Sequence, residues 1–154
     1  MRTATEPLDV LLVADPGGHL DELFLLHEAW EGHGRRAWVV PVTVASDSRL
    51  YGEQVIAASG PTHRNVRSLV ANMWLAFKIV RRLRPRVLLT TGAALGVPFA
   101  WAARLSGTEV LWVECAGRVG LSLSFRLASP AAHRRFVQWP ELAGKGEFHG
   151  ALHF

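Results

Sequence analysis

Cysteine is almost absent from this sequence, because Cys115 is the single one among 154 residues. An internal disulfide is therefore excluded, and no cysteine or histidine near Cys115 has the spacing of a zinc motif. We expect neither a bound metal nor a cofactor. The lack of disulfides also indicates a protein of the reducing cytoplasm.

Long apolar runs are missing as well. The longest uninterrupted run, residues 93–103, is shorter than the about 20 residues that a helix needs to cross a bilayer. Residues 1–7 are polar and lack the apolar core of a signal peptide. We therefore expect any membrane contact to be peripheral, at the inner face of the cell membrane.

Acidic side chains do not occur between Glu53 and Glu109, although the chain as a whole is a globular mixture of 49% hydrophobic and 19% charged residues. The same interval is rich in basic residues, namely Arg64, Arg67, Lys78, Arg81, Arg82, Arg84, Arg86 and Arg104. One-sided positive charge indicates an anionic partner, which is a phosphorylated ligand, a membrane surface or a nucleic acid.

Apolar stretches of strand length alternate with amphipathic stretches of helix length. This alternation predicts one α/β domain over residues 1–154, with a Rossmann-like parallel sheet and helices on both faces. We predict strands at 8–14, 36–42, 54–58, 87–91, 109–114 and 136–140. We predict helices at 20–30, 66–84 and 95–105, and a loop and helix within 118–127.

The clearest motif follows the first strand, where Gly17, Gly18 and His19 lead into a helix. Adjacent glycines allow a sharp turn and a close approach of the backbone to a ligand. Free amides at a helix start attract an anion. The turn therefore predicts a site for a phosphate or a diphosphate.

Two later segments end strands at the same predicted edge of the sheet, where open α/β folds bind ligands. Thr91 and Gly92 make a second strand–glycine–helix turn. Glu114 ends the next strand. It either accepts a hydrogen bond from a sugar hydroxyl, as a catalytic residue would, or pairs with Arg118.

The helix at 66–84 has two interpretations. Its apolar residues recur at the helical period and its end is basic, which is typical of a helix packed on the core. Alternatively, Trp74 widens the apolar face, and the helix rests on an anionic membrane through that face and its terminal arginines. The residues of this membrane surface are Trp74, Arg81, Arg82 and Arg84.

Five motifs in order resemble one family, the acceptor-side, membrane-docking subunits of split UDP-sugar glycosyltransferases. The relatives include bacterial PssD-type proteins of capsule and exopolysaccharide synthesis and the small subunit of the GlcNAc transferase that forms dolichol-linked chitobiose. The motifs are Gly17-Gly18-His19-Leu20, Thr90-Thr91-Gly92-Ala93 with Val97-Pro98, Glu114 through Arg118-Val119, Leu121-Ser122-Leu123-Ser124, and Phe136 through Leu142.

The resemblance implies the N-terminal half of a GT-B enzyme, with the UDP-sugar bound mainly by a separate subunit in a heterodimer. This chain would bind the lipid-linked acceptor and bring its partner to the membrane. The residues implied to bind the acceptor or its phosphates are Gly17, Gly18, Thr91, Gly92, Arg118, Ser122 and Gln138.

A sugar transfer needs a base, and His19 is the best candidate because histidine exchanges protons near neutral pH. The alternative is that His19 only hydrogen-bonds the backbone near the helix start. Asp15, which precedes the glycines, either disfavours an anion or orients His19.

Two other functions compete with this interpretation. A self-sufficient nucleotide- or sugar-phosphate-binding enzyme is disfavoured because the glycine turn matches neither a dinucleotide nor a P-loop motif. A nucleic-acid-binding module is disfavoured because the aromatic residues near the arginines lie on an apolar helix face, without a polar stacking surface. We expect no nucleic-acid partner.

Overall fold

A computed structural model describes residues 6–45, 47–60, 65–117 and 119–152. The described residues contain six strands: β1 (Val10–Val13), β2 (Arg36–Pro41), β3 (Val55–Ala58), β4 (Val87–Thr90), β5 (Glu109–Val113) and β6 (Arg134–Phe136). They contain five α-helices: α1 (Gly18–Leu25), α2 (His27–Trp30), α3 (Val66–Leu83), α4 (Ala93–Leu105) and α5 (Leu123–Ala128). Short 3₁₀ turns lie at Val42–Val44, Ser48–Leu50 and Pro140–Leu142.

The strands form one parallel sheet in the order β3-β2-β1-β4-β5-β6. This is the doubly wound Rossmann order, in which the chain reverses direction across the sheet between β1 and β4. Register places Val13 beside Val39 on one side and beside Thr90 on the other. The predicted fold class is confirmed.

Helices cover both faces because the strand side chains alternate between the faces. Leu11 and Val13 face a cluster that includes Phe99 of α4 and Val80 of α3. Val10 and Leu12 face the other cluster, which includes Leu20 and Leu23 of α1. Burial of strands on both faces explains their nearly continuous apolar sequences.

Two predicted boundaries are wrong. The helix predicted at 20–30 is two helices, α1 and α2, with a break at Leu26. The last strand is Arg134–Phe136 and not 136–140, because its partner β5 ends at Val113, which pairs with Phe136. Beyond that pair the amide of Glu114 still donates to the Phe136 carbonyl at 2.8 Å, and then the ladder ends.

The first half of α3 differs from the core-packed interpretation, and the second half agrees with it. Its buried residues are Ser68, Asn72, Ala76, Ile79 and Val80. Asn72 is held there because its side chain both accepts from the Ser59 amide and donates to the Ser59 carbonyl. The large residues Val66, Leu69, Val70 and Trp74 are exposed instead. The stripe of Val66, Val70 and Trp74 therefore faces outward, whereas Ala76, Ile79 and Val80 of the same helix belong to the core, with Leu75, Phe77 and Leu83 packed beside them.

No helix in the described part of the chain is long and apolar enough to span a membrane.

Candidate functional site

The two glycine turns lie side by side at the carboxyl edge of the sheet. β1 and β4 are adjacent, so residues 14–19 and 91–95, which follow them, meet at the point where the strand order reverses. Open α/β sheets bind ligands in the crevice at this point. The tertiary structure thus joins two motifs that are more than 70 residues apart.

The first turn is open. Gly17 has φ 76°, which favours glycine, and it caps α1 without any side-chain hydrogen bond. Its carbonyl accepts from the amides of Leu20 and Asp21 at 2.9 and 3.1 Å. Gly17 and Gly18 are exposed. The amide end of α1 therefore faces solvent, as an anion site requires.

His19 ties the first turn to the second by a pair of hydrogen bonds. Its Nδ1 lies 2.9 Å from the Thr91 carbonyl oxygen, and the Thr91 hydroxyl donates to the His19 carbonyl at 2.5 Å. A carbonyl oxygen only accepts, so Nδ1 carries the hydrogen. In a neutral ring, Nε2 then has a lone pair for another group. His19 does hydrogen-bond the backbone, and that bond leaves it in the tautomer that suits a base.

The second turn is closed. The Gly92 amide donates to Thr90 Oγ1 at 3.1 Å, and the Leu95 amide donates to Asp15 Oδ2 at 2.9 Å. Asp15 is buried, and its carboxylate occupies the start of α4, where helix amides would otherwise attract an anion. Ala93 has φ 62°, a conformation that is costly for a residue with a Cβ.

The side chain of Trp112 packs against this second turn. A Cβ added to Gly92, which has φ 96°, would lie 3.2 Å from Trp112 Cζ2. A Cβ on Gly96 would lie 2.8 Å from Thr90 Oγ1 and 3.0 Å from Trp112 Cζ3. The glycines of this turn therefore serve packing.

Glu114 is a buried junction between three segments. Its Oε2 accepts from Trp112 Nε1 at 3.1 Å, and its Oε1 accepts from the Ser122 amide at 2.7 Å. The Ser122 hydroxyl in turn accepts from the Phe125 amide and caps α5. Both carboxylate oxygens of Glu114 thus have protein donors, an arrangement that positions the loop before α5.

Gln138 joins the same junction to the C-terminal segment. Its amide nitrogen donates to the Glu114 carbonyl at 3.0 Å, and its amide oxygen accepts from the Leu152 amide at 2.8 Å. Both the nitrogen and the oxygen of the buried Gln138 side chain are therefore hydrogen-bonded within the chain. Arg118, the predicted partner of Glu114, lies outside the described residues.

Two residues at the site were not predicted. Glu22 lies on α1 one turn after His19, and Cys115 follows Glu114 on the neighbouring loop. One ring nitrogen of His19, a carboxylate oxygen of Glu22 and the sulfur of Cys115 all lie within 4.8 Å of one another. The spacing of Glu22, three residues after His19, was the available signal, because such residues share a helix face.

Burial raises the pKa of the Cys115 thiol, and the nearby carboxylates of Glu22 and Glu114 raise it further. Glu22 is itself 1% exposed, and its Oε1 accepts from the Ala116 amide at 2.8 Å. That bond fastens α1 to the loop after β5. The Glu22 carboxylate therefore helps to hold the first and third motifs together.

The predicted membrane residues are not part of this crevice. Helix α3 precedes β4 and so runs from the carboxyl edge of the sheet to the amino edge. Arg81, Arg82 and Arg84 lie at its far end, and an α-helix of 18 residues is roughly 27 Å long. Trp74 lies between the two ends of α3 and is 66% exposed. The Lys78 Nζ lies 5.0 Å from the centre of the Trp74 ring.

Comparison with solved structures supports the fold. The chain superposes on MurG from Acinetobacter baumannii with a TM-score of 0.72 and 18% identity, covering 87% of this chain and 42% of that one. It superposes on UDP-N-acetylglucosamine 2-epimerase from Rickettsia bellii with a TM-score of 0.72 and 10% identity, covering 95% and 45%. The chain thus spans less than half of either protein.

Sequence comparison identifies the family. The human UDP-N-acetylglucosamine transferase subunit ALG14 is 27% identical, over 93% of this chain and 81% of the human one. Its counterpart from Yarrowia lipolytica is 38% identical over 51% of this chain and 41% of its own length. The profile of "Oligosaccharide biosynthesis protein Alg14 like" matches residues 54–152. Together with the two turns at the reversal of the strand order, this match shows that the chain belongs to the Alg14-like family of oligosaccharide biosynthesis proteins.

Proposed function

We propose that this chain is the acceptor-side subunit of a two-component glycosyltransferase. The enzyme transfers a sugar from a UDP-sugar to a polyprenyl-diphosphate-linked acceptor, in exopolysaccharide or capsule synthesis or in lipid-linked oligosaccharide synthesis. A separate subunit binds the donor. The observation that carries the proposal is the open Gly17–Gly18 turn beside the His19–Thr91 pair of hydrogen bonds, at the ligand edge of the sheet.

The acceptor's diphosphate would lie at the first turn. That turn has an exposed backbone and the amide end of α1 without a side-chain cap. The second turn is a poorer anion site because Asp15 already occupies the start of α4. Thr91 and Gly92 then act by positioning His19 and the crevice wall. Arg118 and Ser122 would contribute to binding the acceptor, as the resemblance to the family implies.

His19 would act as the general base. As the acceptor oxygen bonds to the anomeric carbon of the sugar, the carbon–oxygen bond to UDP breaks, and its electron pair leaves with UDP. The proton of the acceptor hydroxyl passes to His19 Nε2. His19 is the better base than Glu114, because both carboxylate oxygens of Glu114 already accept hydrogen bonds from protein groups.

The donor site would belong mainly to the partner. Curated relatives are called transferase subunits, and this chain matches less than half of the larger solved structures. A Rossmann-like half supplies one wall of a cleft, so a second polypeptide is needed for the other. No cofactor is required in this scheme, since the UDP-sugar is a substrate.

Reconstitution tests the proposal. The chain, the product of the neighbouring gene, and both together are assayed with UDP-N-acetylglucosamine and other UDP-sugars on membranes that contain a lipid-linked acceptor. We expect transfer only when both proteins are present. Transfer by this chain alone would instead support the self-sufficient enzyme.

The outward stripe of α3 is the proposed membrane surface. Val66, Val70 and Trp74 lie on one helix face and are 73%, 64% and 66% exposed. Arg81 and Arg82 in the last turn of α3, and Arg84 just after it, add positive charge, and α3 has no acidic residue. Apolar side chains beside cations are the features of a helix that lies flat on an anionic membrane. The chain would then be peripheral to the inner face.

Liposome flotation tests this surface. We expect the chain to float with anionic liposomes, and we expect neutralisation of Arg81, Arg82 and Arg84 to glutamine to release it. The matched control neutralises the exposed Arg35, Arg126 and Arg135, which lie on other elements. Equal loss in both triple variants would indicate non-specific charge attraction. Unchanged binding after replacement of both Trp74 and the three α3 arginines would overturn the proposal.

A further inference from the structure

Glu22 and Cys115 lie beside His19, the proposed base, and have no role so far beyond the hydrogen bond that Glu22 accepts from the Ala116 amide. The cluster of these three residues unites a nitrogen, an oxygen and a sulfur, one from each side chain, all within 4.8 Å of one another. Two of these residues come from one face of α1, and the third comes from the loop after β5. These three side chains come together only in the folded chain, because Cys115 is far from His19 and Glu22 in sequence.

The Glu22 carboxylate provides an independent reason to expect a cation at this position. The Glu22 side chain is buried, and its Oε2 is the one buried side-chain oxygen or nitrogen in the described part of the chain that no donor reaches with good hydrogen-bond geometry, although the Cys115 thiol lies close to the carboxylate. A buried carboxylate oxygen without a partner is costly, and native proteins rarely leave one unused. A cation at this position would satisfy it.

His19 is prepared for such a cation. Its Nδ1–H donates to the Thr91 carbonyl, which leaves the Nε2 lone pair available. Histidines that bind metals typically donate their other ring N–H to a backbone carbonyl or a carboxylate, since this fixes the tautomer and the ring orientation. Thr91 therefore stands where an outer partner of a metal ligand would be expected.

We propose that His19, Glu22 and Cys115 bind a single zinc ion. A mixed set of imidazole, carboxylate and thiolate suits Zn²⁺, which favours four-coordinate geometry with nitrogen, oxygen and sulfur ligands. The metal would displace the thiol proton of Cys115. Three protein ligands leave the fourth position open to water or to another ligand, as in sites that are not purely structural.

The geometry requires only a small contraction. Ligand atoms on one tetrahedral zinc ion lie roughly 3.5 Å apart, given bonds of about 2.0–2.3 Å. The widest pair in the cluster is at most 4.8 Å apart, so the side chains need to move together by about 1 Å. His19 and Cys115 are half-buried, which leaves them room for this movement.

Occupancy would have a functional consequence, which rests on the proposed role of His19. Nδ1 is used by its hydrogen bond to the Thr91 carbonyl, so zinc would bind Nε2, the same nitrogen that takes the proton of the acceptor hydroxyl. The lone pair of this nitrogen cannot accept a proton and bind zinc at the same time. Zinc is therefore an inhibitor of sugar transfer and not its cofactor, and chelation restores activity.

Cobalt absorption on the untagged full chain tests the site without any transferase assay. After removal of metals by a chelator, Co²⁺ is titrated and the near-ultraviolet thiolate-to-cobalt charge-transfer band is followed, and Zn²⁺ is then added in competition. We expect one Co²⁺ per chain, displaced by one Zn²⁺. Because Cys115 is the single cysteine, Cys115→Ser abolishes the band.

Matched variants separate the ligands from their neighbours. Glu22→Gln and His19→Gln should weaken Co²⁺ binding more than about tenfold. Glu28→Gln and His27→Gln, on exposed positions of α2, should leave it unchanged. Circular dichroism verifies the fold of each variant. Absence of the charge-transfer band, or binding that Glu22→Gln and His19→Gln do not weaken, overturns the site.

A second readout distinguishes this inference from the proposed function. If zinc binds and the reconstituted transferase is inhibited in proportion, both stand. If zinc binds with the expected ligands and transfer continues, the metal site stands and the base role of His19 fails. If the reconstituted enzyme is active and no metal binds to the chain, the zinc site alone fails.

Discussion

The two glycine turns are nearly the same in sequence pattern and opposite in structure. Each follows a buried parallel strand and starts a helix, at Gly17 and at Gly92. The first is exposed and its helix start has no side-chain cap. The second has Asp15 on the Leu95 amide, Thr90 on the Gly92 amide, and Trp112 against its surface.

The difference teaches that a glycine turn is not by itself a ligand site. A glycine turn can bind an anion only if its backbone amides do not already donate hydrogen bonds to protein groups. Asp15 belongs to the first turn by sequence, yet its carboxylate serves the second. One residue thereby closes the second turn to anions and holds the two turns together, and the open turn is left for the ligand.

The largest expected effect concerns His19, the side chain that the first turn presents. We expect His19→Ala to lower kcat of the reconstituted enzyme about 10²–10⁴-fold, since this is the usual contribution of a general base. Initial rates at saturating donor and acceptor measure it. His27→Ala, one residue beyond the break at Leu26, is the control and should retain activity. If both variants were equally active, His19 would not be the general base.

A bulky residue at the first turn should block the ligand and spare the fold. A Cβ at Gly18 meets nothing within 4 Å, so we expect Gly18→Trp to change the free energy of unfolding by less than about 0.5 kcal/mol. Transfer activity should fall about 10²-fold or more, because the acceptor is displaced. Gly32→Trp is the control at an equally open glycine distant from the crevice. Unfolding of Gly18→Trp would assign this glycine a structural role.

The second turn should respond in the opposite way. Gly92→Ala forces a Cβ into a backbone with φ 96° and to within 3.2 Å of Trp112, so we expect a loss of about 1–3 kcal/mol in the free energy of unfolding. Denaturant unfolding measures it. Gly107→Ala has a similar φ of 79° and no atom within 4 Å of the added Cβ, and it isolates the cost of the backbone. A Gly92→Ala variant as stable as the parent would contradict a closed, packed turn.

The smallest effect is expected at Asp15. Asp15→Asn keeps an oxygen for the Leu95 amide and removes the charge at the start of α4, so we expect a loss of about 0.3–1 kcal/mol. Thermal and denaturant unfolding at low ionic strength measure it. Asp21→Asn, an exposed carboxylate paired with Arg49, serves as the comparison. A higher free energy of unfolding for Asp15→Asn would show that the charge of Asp15 destabilises the fold.

Most of the elements were predictable because their signals are local. The third strand, the end of α3 before Pro85 and the start of β2 lie within a residue or two of their predicted positions. Apolar runs of strand length and amphipathic periods carry this information along the chain. The last strand was misplaced because the end of its partner β5, a non-local feature, decides where pairing stops.

The outward face of α3 was not decided by its periodicity. The stripe of Val66, Val70 and Trp74 has the spacing of a core face but is exposed. The core-packed interpretation is wrong for this stripe and holds for the second half of α3, where Ile79 and Val80 are buried. Asn72 and the small residues Ser68 and Ala76 face inward because Asn72 makes two hydrogen bonds to the backbone of Ser59. Those bonds depend on the position of Ser59 at the end of β3, and the sequence of α3 alone does not reveal that position.

The sequence by itself determined the fold class, the order of the elements and the three motifs that follow β1, β4 and β5, because each rests on short-range patterns of apolar residues and glycines. Only the tertiary structure decided which turn is open, which ring nitrogen of His19 keeps its lone pair, and that Glu22 and Cys115 join it. These properties depend on hydrogen bonds between segments far apart in the chain, such as His19 with Thr91 and Asp15 with Leu95. Such bonds exist only once parallel strands have brought their carboxyl ends to one edge.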